Sequence, residues 1–282
     1  MKTGLSTASL FLRRCNEDAL PFLESEGISI AEVFLSTFSE YGEPFASLLK
    51  ERKGKVQINS VHILNTQFEP QLFNANPRTL QDAYDWLDKV LTSANALGAP
   101  YYTFHGTARM KKASREKGAD KFDKMVKGFR RVMDTCKQRN VTLCLENVEW
   151  ATYNRPGVFS RLAEDLPDLR GVLDIKQARI SDHPYEAYLT EMGERLAYAH
   201  ISDYNEDSKT MCLPGKGHFD FDTLVRRLKD VGFDGALLIE VYENDFKEEK
   251  ELKIACDYVD EILYKHGCLT KKNNLHFFCK NY

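Results

Sequence analysis

The feature that most restricts this chain is a rhythm. Short runs of β-forming residues alternate with longer amphipathic segments eight times, and no Pro-, Gly- or Ser-rich linker breaks the alternation. Strand patterns lie at Thr3–Ser6, Ile30–Leu35, Gln57–Leu64, Tyr101–His105, Val141–Glu146, Gly171–Asp174, Leu196–Ile201 and Ala236–Val241. Helical spacing marks Leu80–Leu97, Ala119–Arg139, Phe221–Val231 and Glu248–Tyr264. In the second of these, Phe122, Met125, Phe129 and Met133 share one stripe. Asn76 and Pro77 in "NPRT" read as a helix start ahead of the first. Eight strand–helix units in roughly 250 residues predict an α/β fold, a single (β/α)8 TIM barrel. It would occupy residues 1–266, with 267–282 a tail packed on the barrel or on a neighbouring subunit. Alternation alone also permits an open doubly wound sheet. The Gly-rich dinucleotide fingerprint is missing from "GLSTASLFL" after the first strand.

Composition narrows the class. With 282 residues and 43% hydrophobic content, the chain buries an ample core without staples. A net charge of -3 argues against a general nucleic-acid binder. No apolar run approaches the roughly 18 residues of a membrane span. The start, "MKTGLSTASLFLRRC", lacks the long apolar region and cleavage site of a secretion signal. Seven cysteines at irregular spacing, with no CxxC pair, read as reduced thiols in a cytoplasmic protein.

Six successive strands end on chemistry. The third ends in "VHIL" (His62), the fourth in "FHG" (His105) and the fifth in "LENVE" (Glu146). The sixth ends in "VLDIKQ" (Asp174), the seventh in "AHISD" (His200) and the eighth in "LIEVY" (Glu240). In a barrel these ends form the active-site rim. One histidine there is commonly structural, and one acid is commonly a helix cap. Glu240 is harder to dismiss, because the apolar run Leu237–Ile239 precedes it and Val241 follows. A buried carboxylate persists only when paired or bound to metal. Glu146, Asp174, His200 and Glu240 together offer three carboxylates and one imidazole, a donor set suited to one Mn²⁺, Mg²⁺ or Co²⁺ per chain. The competing arrangement is a metal-free salt-bridge cluster. It needs cations nearby, and Lys176 and Arg179 are the near candidates.

With those residues in place, the chain resembles the sugar phosphate isomerase/epimerase group of the xylose isomerase-like TIM barrel superfamily. That group includes ketose 3-epimerases, hydroxypyruvate isomerase and inosose dehydratase, with endonuclease IV as a nucleic-acid cousin. The likeness runs from "KTGLST" to "ALLIEVYEN" and is most specific in "LCLEN", "GVLDIKQ", "AYAHISDYN" and "PGKGHFDFDTLVRRLKDVGFDGALLIE". It implies that Glu146, Asp174, His200 and Glu240 are metal ligands and that His62 and His105 line the substrate pocket. Many relatives carry a histidine three residues after the strand-six aspartate, where this chain has Gln177. In endonuclease IV that histidine helps to hold three metals, so its replacement weighs against DNA repair.

The resemblance implies a metal-dependent sugar or keto-polyol isomerase or epimerase. Glu146 and Glu240 would move a proton next to a carbonyl through an enediolate. The same site could serve a lyase, either an inosose-type dehydratase or a C-glycoside-cleaving subunit. An endonuclease IV-like hydrolase is the more distant alternative. Gln177 is placed to donate its amide to a substrate oxygen. Lys216 in "GKG" is placed to meet a phosphate or carboxylate, or else is a solvated loop lysine. Trp150 and Tyr153 could wall a sugar face or form a loop packed on its own barrel, and Asp203 could orient His200 or cap the next segment. The expected partner is a small sugar, ketose or keto-polyol, with no nucleic acid and no membrane. A homo-oligomer remains open.

Overall fold

The structure is a computed structural model that describes residues 1–64, 68–108, 115–205 and 210–269. Eight strands pair in parallel throughout. They are β1 (Lys2–Ser6), β2 (Ile30–Leu35), β3 (Gln57–Ile63), β4 (Tyr101–Phe104), β5 (Thr142–Glu146), β6 (Arg170–Asp174), β7 (Leu196–Ile201) and β8 (Ala236–Ile239). Each strand pairs with its neighbours in sequence, and β8 returns to β1 through Lys2↔Ala236 and Leu5↔Ile239. The sheet is therefore a closed barrel, and the open-sheet alternative is excluded.

The helices follow the strands, the last of them after β8. They are α1 (Asn16–Ser25), α2 (Phe45–Arg52), α3 (Pro77–Leu97), α4 (Arg115–Gln138), α5 (Val158–Asp165), α6 (Ile175–Ile180), α7 (Tyr185–Met192), α8 (Phe221–Asp230) and α9 (Lys250–Lys265). Asn76 caps α3 as its sequence suggests, with its side chain accepting from the Arg78 and Thr79 amides. The predicted stripe of α4 is real: Phe122, Met125 and Phe129 are buried and Met133 packs against them. The main core lies between barrel and helices. A second cluster of Ile30, Cys144, Val172, Tyr198, Ala236 and Leu238 fills part of the barrel.

The predicted strand bounds agree to within two residues. At C-terminal ends Leu64, His105, Glu240 and Val241 have left the sheet for the loops, and at N-terminal ends the first, fifth and sixth strands each shift by one residue. Cys15, Cys136, Cys144, Cys212, Cys256 and Cys268 are free thiols. Among the described residues no helix is long and apolar enough to cross a membrane. The tail expected after the barrel lies outside the described residues from position 270 onward.

Candidate active site

The strand ends place the predicted residues in one buried cluster. Glu146, Asp174, His200 and Glu240 each present a donor atom, and these four atoms lie within 4.8 Å of one another. All four side chains are buried. Local bonds fix them. Asn147, beside Glu146, donates to the Asp174 carbonyl and accepts the Asp174 amide, both at 2.8 Å, which ties β5 to β6. Asp174 is also a helix cap, since its Oδ1 accepts the Gln177 amide at 2.8 Å. Ser9 brackets Glu240 by donating to the Ile239 carbonyl at 3.3 Å and accepting the Val241 amide at 3.2 Å.

Each of the two glutamates divides its oxygens. Glu146 Oε1 lies 2.7 Å from His200 Nδ1, while its Oε2 lies 3.2 Å from His105 Nε2. Glu240 Oε2 lies 3.3 Å from Lys176 Nζ, while its Oε1 lies 3.5 Å from His62 Nδ1. Lys176, one of the two candidate cations, sits two residues past β6, is buried, and turns back between Glu240 and Asp174, whose Oδ2 is 4.0 Å away. Arg179 instead stacks over the Tyr204 ring at 3.7 Å.

The charges do not balance evenly. Burial alone would raise Glu146 and Glu240. His200 with His105 holds the first below the usual carboxylate range, and His200 with Lys176 holds the second down at about 2. Asp174 goes the other way. Burial, reinforced by Glu146 and Glu240, outweighs Lys176 and lifts it to about 7. A third anion is thus unwelcome unless a cation joins it, so the donor set fits a divalent metal. The unfolded chain releases this proton near 4 and the native chain near 7. In the metal-free protein the penalty is absent below that window and complete above it, at up to about 4 kcal/mol. Asp174→Asn should therefore stabilise chelator-treated protein, with a gain that grows between pH 5 and pH 8. A gain independent of pH in thermal melts would refute this assignment.

Two further carboxylates escaped the sequence reading. Glu32, fully buried in β2, accepts from Ser6 (2.9 Å), Ser60 (2.8 Å) and Thr103 (2.6 Å). It also lies 3.2 Å from His62 Nδ1 and 3.0 Å from His200 Nε2. Its signal was present: an acid inside the apolar run "IAEVFL", the same argument that marked Glu240. Glu69 had no such signal, because it comes from the loop after β3. It accepts from Tyr102 Oη at 2.7 Å and the His105 amide at 3.1 Å, and lies 2.9 Å from His105 Nδ1. Burial disfavours the charged rings. Glu32 and Glu240 nonetheless raise His62 to about 10, and Glu69 and Glu146 raise His105 to about 9. The two Nε2 atoms face each other at 3.0 Å, and the His62 charge works against that of His105. Glu69→Gln should cost about 1–3 kcal/mol by leaving a buried donor without its acceptor. The His105 share of that loss is full below about 6.5 and fades as pH rises through about 9, so the variant's deficit in urea melts should shrink at high pH.

The remaining candidates separate by position. A cavity of about 430 Å³ at the barrel mouth is lined by His62, His105, Glu146, Asp174, Gln177 and Glu240, together with Trp150. Gln177 accepts the Glu149 amide at 3.2 Å through Oε1 and lines the cavity. Lys216 is exposed and does not line the cavity. Tyr153 is buried against Tyr188 and bonds Glu191, so Trp150 alone of that pair reaches the mouth. Asp203 does not orient His200. Its carboxylate gathers the amides of Tyr204, Gly215, Gly217 and Phe219 at 2.8–3.1 Å and so shapes the "PGKG" loop. Gly217 is required there, because a Cβ would stand 2.2 Å from the Tyr204 carbonyl.

A closed parallel barrel with acids and imidazoles gathered at the strand C-termini defines a class of barrel protein with its site at the mouth. The chain belongs to the xylose isomerase-like TIM barrel family, whose model matches residues 20–262. Fructoselysine 3-epimerase of Escherichia coli O157:H7 is 29% identical over 75 residues, which is 27% of this chain and 27% of that protein. The match thus spans about a quarter of the curated relative's length. D-psicose 3-epimerase of Clostridium cellulolyticum H10, solved with D-tagatose, superposes with a TM-score of 0.75 at 17% identity, covering 93% of this chain and 99% of that one. The IOLI protein, solved with a bound zinc atom, gives a TM-score of 0.69 at 15% identity over 94% and 97% of the chains.

Proposed function

We propose that the protein is a divalent-metal-dependent sugar or keto-polyol epimerase or isomerase that moves a proton next to a carbonyl. The observation that carries this reading is the division of oxygens at Glu146 and Glu240. Each glutamate commits one oxygen to the four-residue cluster and turns the other toward a histidine of the cavity. Glu146, Asp174, His200 and Glu240 would hold the cation. The bound cation would act as a Lewis acid on the substrate carbonyl. Glu146 and Glu240 stand on β5 and just past β8, so they come from different sectors of the rim. One would remove the proton beside the carbonyl and the other would return it. Return to the opposite face of the same carbon gives epimerisation, and return to the adjacent carbon gives isomerisation. His62 and His105, held from behind by Glu32 and Glu69, would bind substrate oxygens. Gln177 would contribute its amide nitrogen. The epimerases among the relatives and the zinc found in IOLI support the same reading.

The test combines metal content with activity. About one divalent ion per chain should copurify or bind, chelation should abolish turnover of ketohexoses, ketopentoses or inososes, and Mn²⁺ should restore it. Product of unchanged mass identifies an epimerase or isomerase, whereas loss of water or of an aglycone identifies a lyase. Turnover by a chain shown by elemental analysis to be free of divalent metal would refute the proposal.

A further inference from the structure

The floor of the cavity is polar, and its mouth is largely apolar, with Glu243 and Asn244 as its polar members. Phe11, Leu12, Leu64, Trp150 and Tyr242 line it, and they are five of the eleven large apolar side chains left exposed on the described surface. They come from four separate loops, after β1, β3, β5 and β8, and close around one opening. Scattered exposed apolar residues need no explanation, whereas a set gathered at a cavity mouth does. Leu12 sharpens the point. It is 71% exposed and holds φ at +67°, in the left-handed region where glycine is at ease and leucine is strained. Such strain persists where function maintains it. The rim is also held rigidly. Phe11 packs edge-on against Phe34 at 5.7 Å, Phe34 against His62 at 5.2 Å, and Trp150 tilts against His105 at 5.5 Å. Lys176 Nζ sits 4.2 Å from the Tyr242 ring centroid. The volume of about 430 Å³ falls within the roughly 300–1,000 Å³ of pockets that bury drug-sized ligands. A free monosaccharide on the polar floor would leave this rim in water.

We infer that the substrate is a ketose conjugate carrying an aromatic or similarly bulky apolar group, with the sugar on the acidic floor and the apolar group on the Phe11–Leu12–Leu64–Trp150–Tyr242 rim. The inference rests on the proposed function only in taking the floor as a sugar site. An aromatic ring lying against fixed aromatic and aliphatic walls gains both burial and geometry. Because the walls are already packed, little ordering opposes that gain.

The test uses the full chain loaded with Mn²⁺ and three ligands that share one head: D-fructose, 1-methylamino-1-deoxy-D-fructose and 1-anilino-1-deoxy-D-fructose. Titration calorimetry should find the anilino conjugate bound at least about tenfold more tightly than the methylamino one. The double variant Leu12→Gly/Trp150→Ala should cut that ratio below about threefold. Glycine relieves the backbone at position 12, so a folding defect is not expected there, and circular dichroism checks it. Equal binding of the two conjugates by the wild-type chain would overturn the inference. So would a preference that survives in the double variant, or a second copy of the chain found by sedimentation to cover the rim and exclude the conjugate. Exchange of the sugar's α-proton in D₂O separates the two readings. Preference without exchange sinks the epimerase and leaves the rim assignment, and exchange without preference does the reverse.

Discussion

Glu146→Gln and Glu240→Gln should each lose about 10²–10⁴-fold in turnover, and saturating Mn²⁺ should restore neither. Glutamine keeps the shape and one oxygen donor, but it does not accept a proton in this role. Both residues are also placed as ligands, so weaker metal binding adds to the loss. Asp174→Asn supplies the contrast. Asp174 spends Oδ1 on the Gln177 amide and is placed as a ligand only, so excess metal should recover much of its activity. Isotope exchange divides the labour of the glutamates. In D₂O a variant with one working base should still exchange the substrate α-proton on that face while failing to form product. Near wild-type turnover by both glutamine variants would assign proton transfer elsewhere. His62 and His105, 3.0 Å apart and within reach of both glutamates, would then be the candidates.

Lys176→Met should be the most damaging substitution for stability. The ammonium is buried, lies 3.3 Å from Glu240 and 4.0 Å from Asp174, and is held charged by both against burial. Methionine fills similar space but leaves buried anions without their cation, a change that typically costs about 3–5 kcal/mol. The experiment also decides between the two arrangements that the sequence allowed. If the cluster holds a divalent metal, the metal should recover much of the lost stability in thermal melts. If the cluster is a metal-free salt bridge, the loss should be the same with chelator and with saturating Mn²⁺. Chelated and metal-loaded wild-type protein with identical melting curves would point to the salt bridge as well.

Several features of the site were legible before any fold was known. His62, His105, Glu146, Asp174, His200 and Glu240 each stand at or beside the C-terminal end of a strand, and such ends meet at one rim once the barrel closes. Glu32 could have been read from the apolar run around it. It lies mid-strand, one layer below the rim, so a search confined to strand ends passed over it. Of the two roles open to Asp203, nearness in sequence to His200 suggested a partnership, and capping the local backbone is the one the chain uses. The chain turns there, and the carboxylate is consumed by four loop amides.

The sequence by itself determined the alternation of strand and helix and the acids and imidazoles that face the barrel mouth, because these follow from local periodicity and short-range order. Tertiary structure alone decided which atom meets which. Closure of β8 onto β1 brings residues about 230 positions apart, such as Ser9 and Ile239, into contact. Packing of the loops above the strands also brings an acid, Glu69, to His105 from 36 residues away, and turns Lys176 back to Glu240, 64 residues on. Those contacts depend on three-dimensional distance, and no one-dimensional period encodes it.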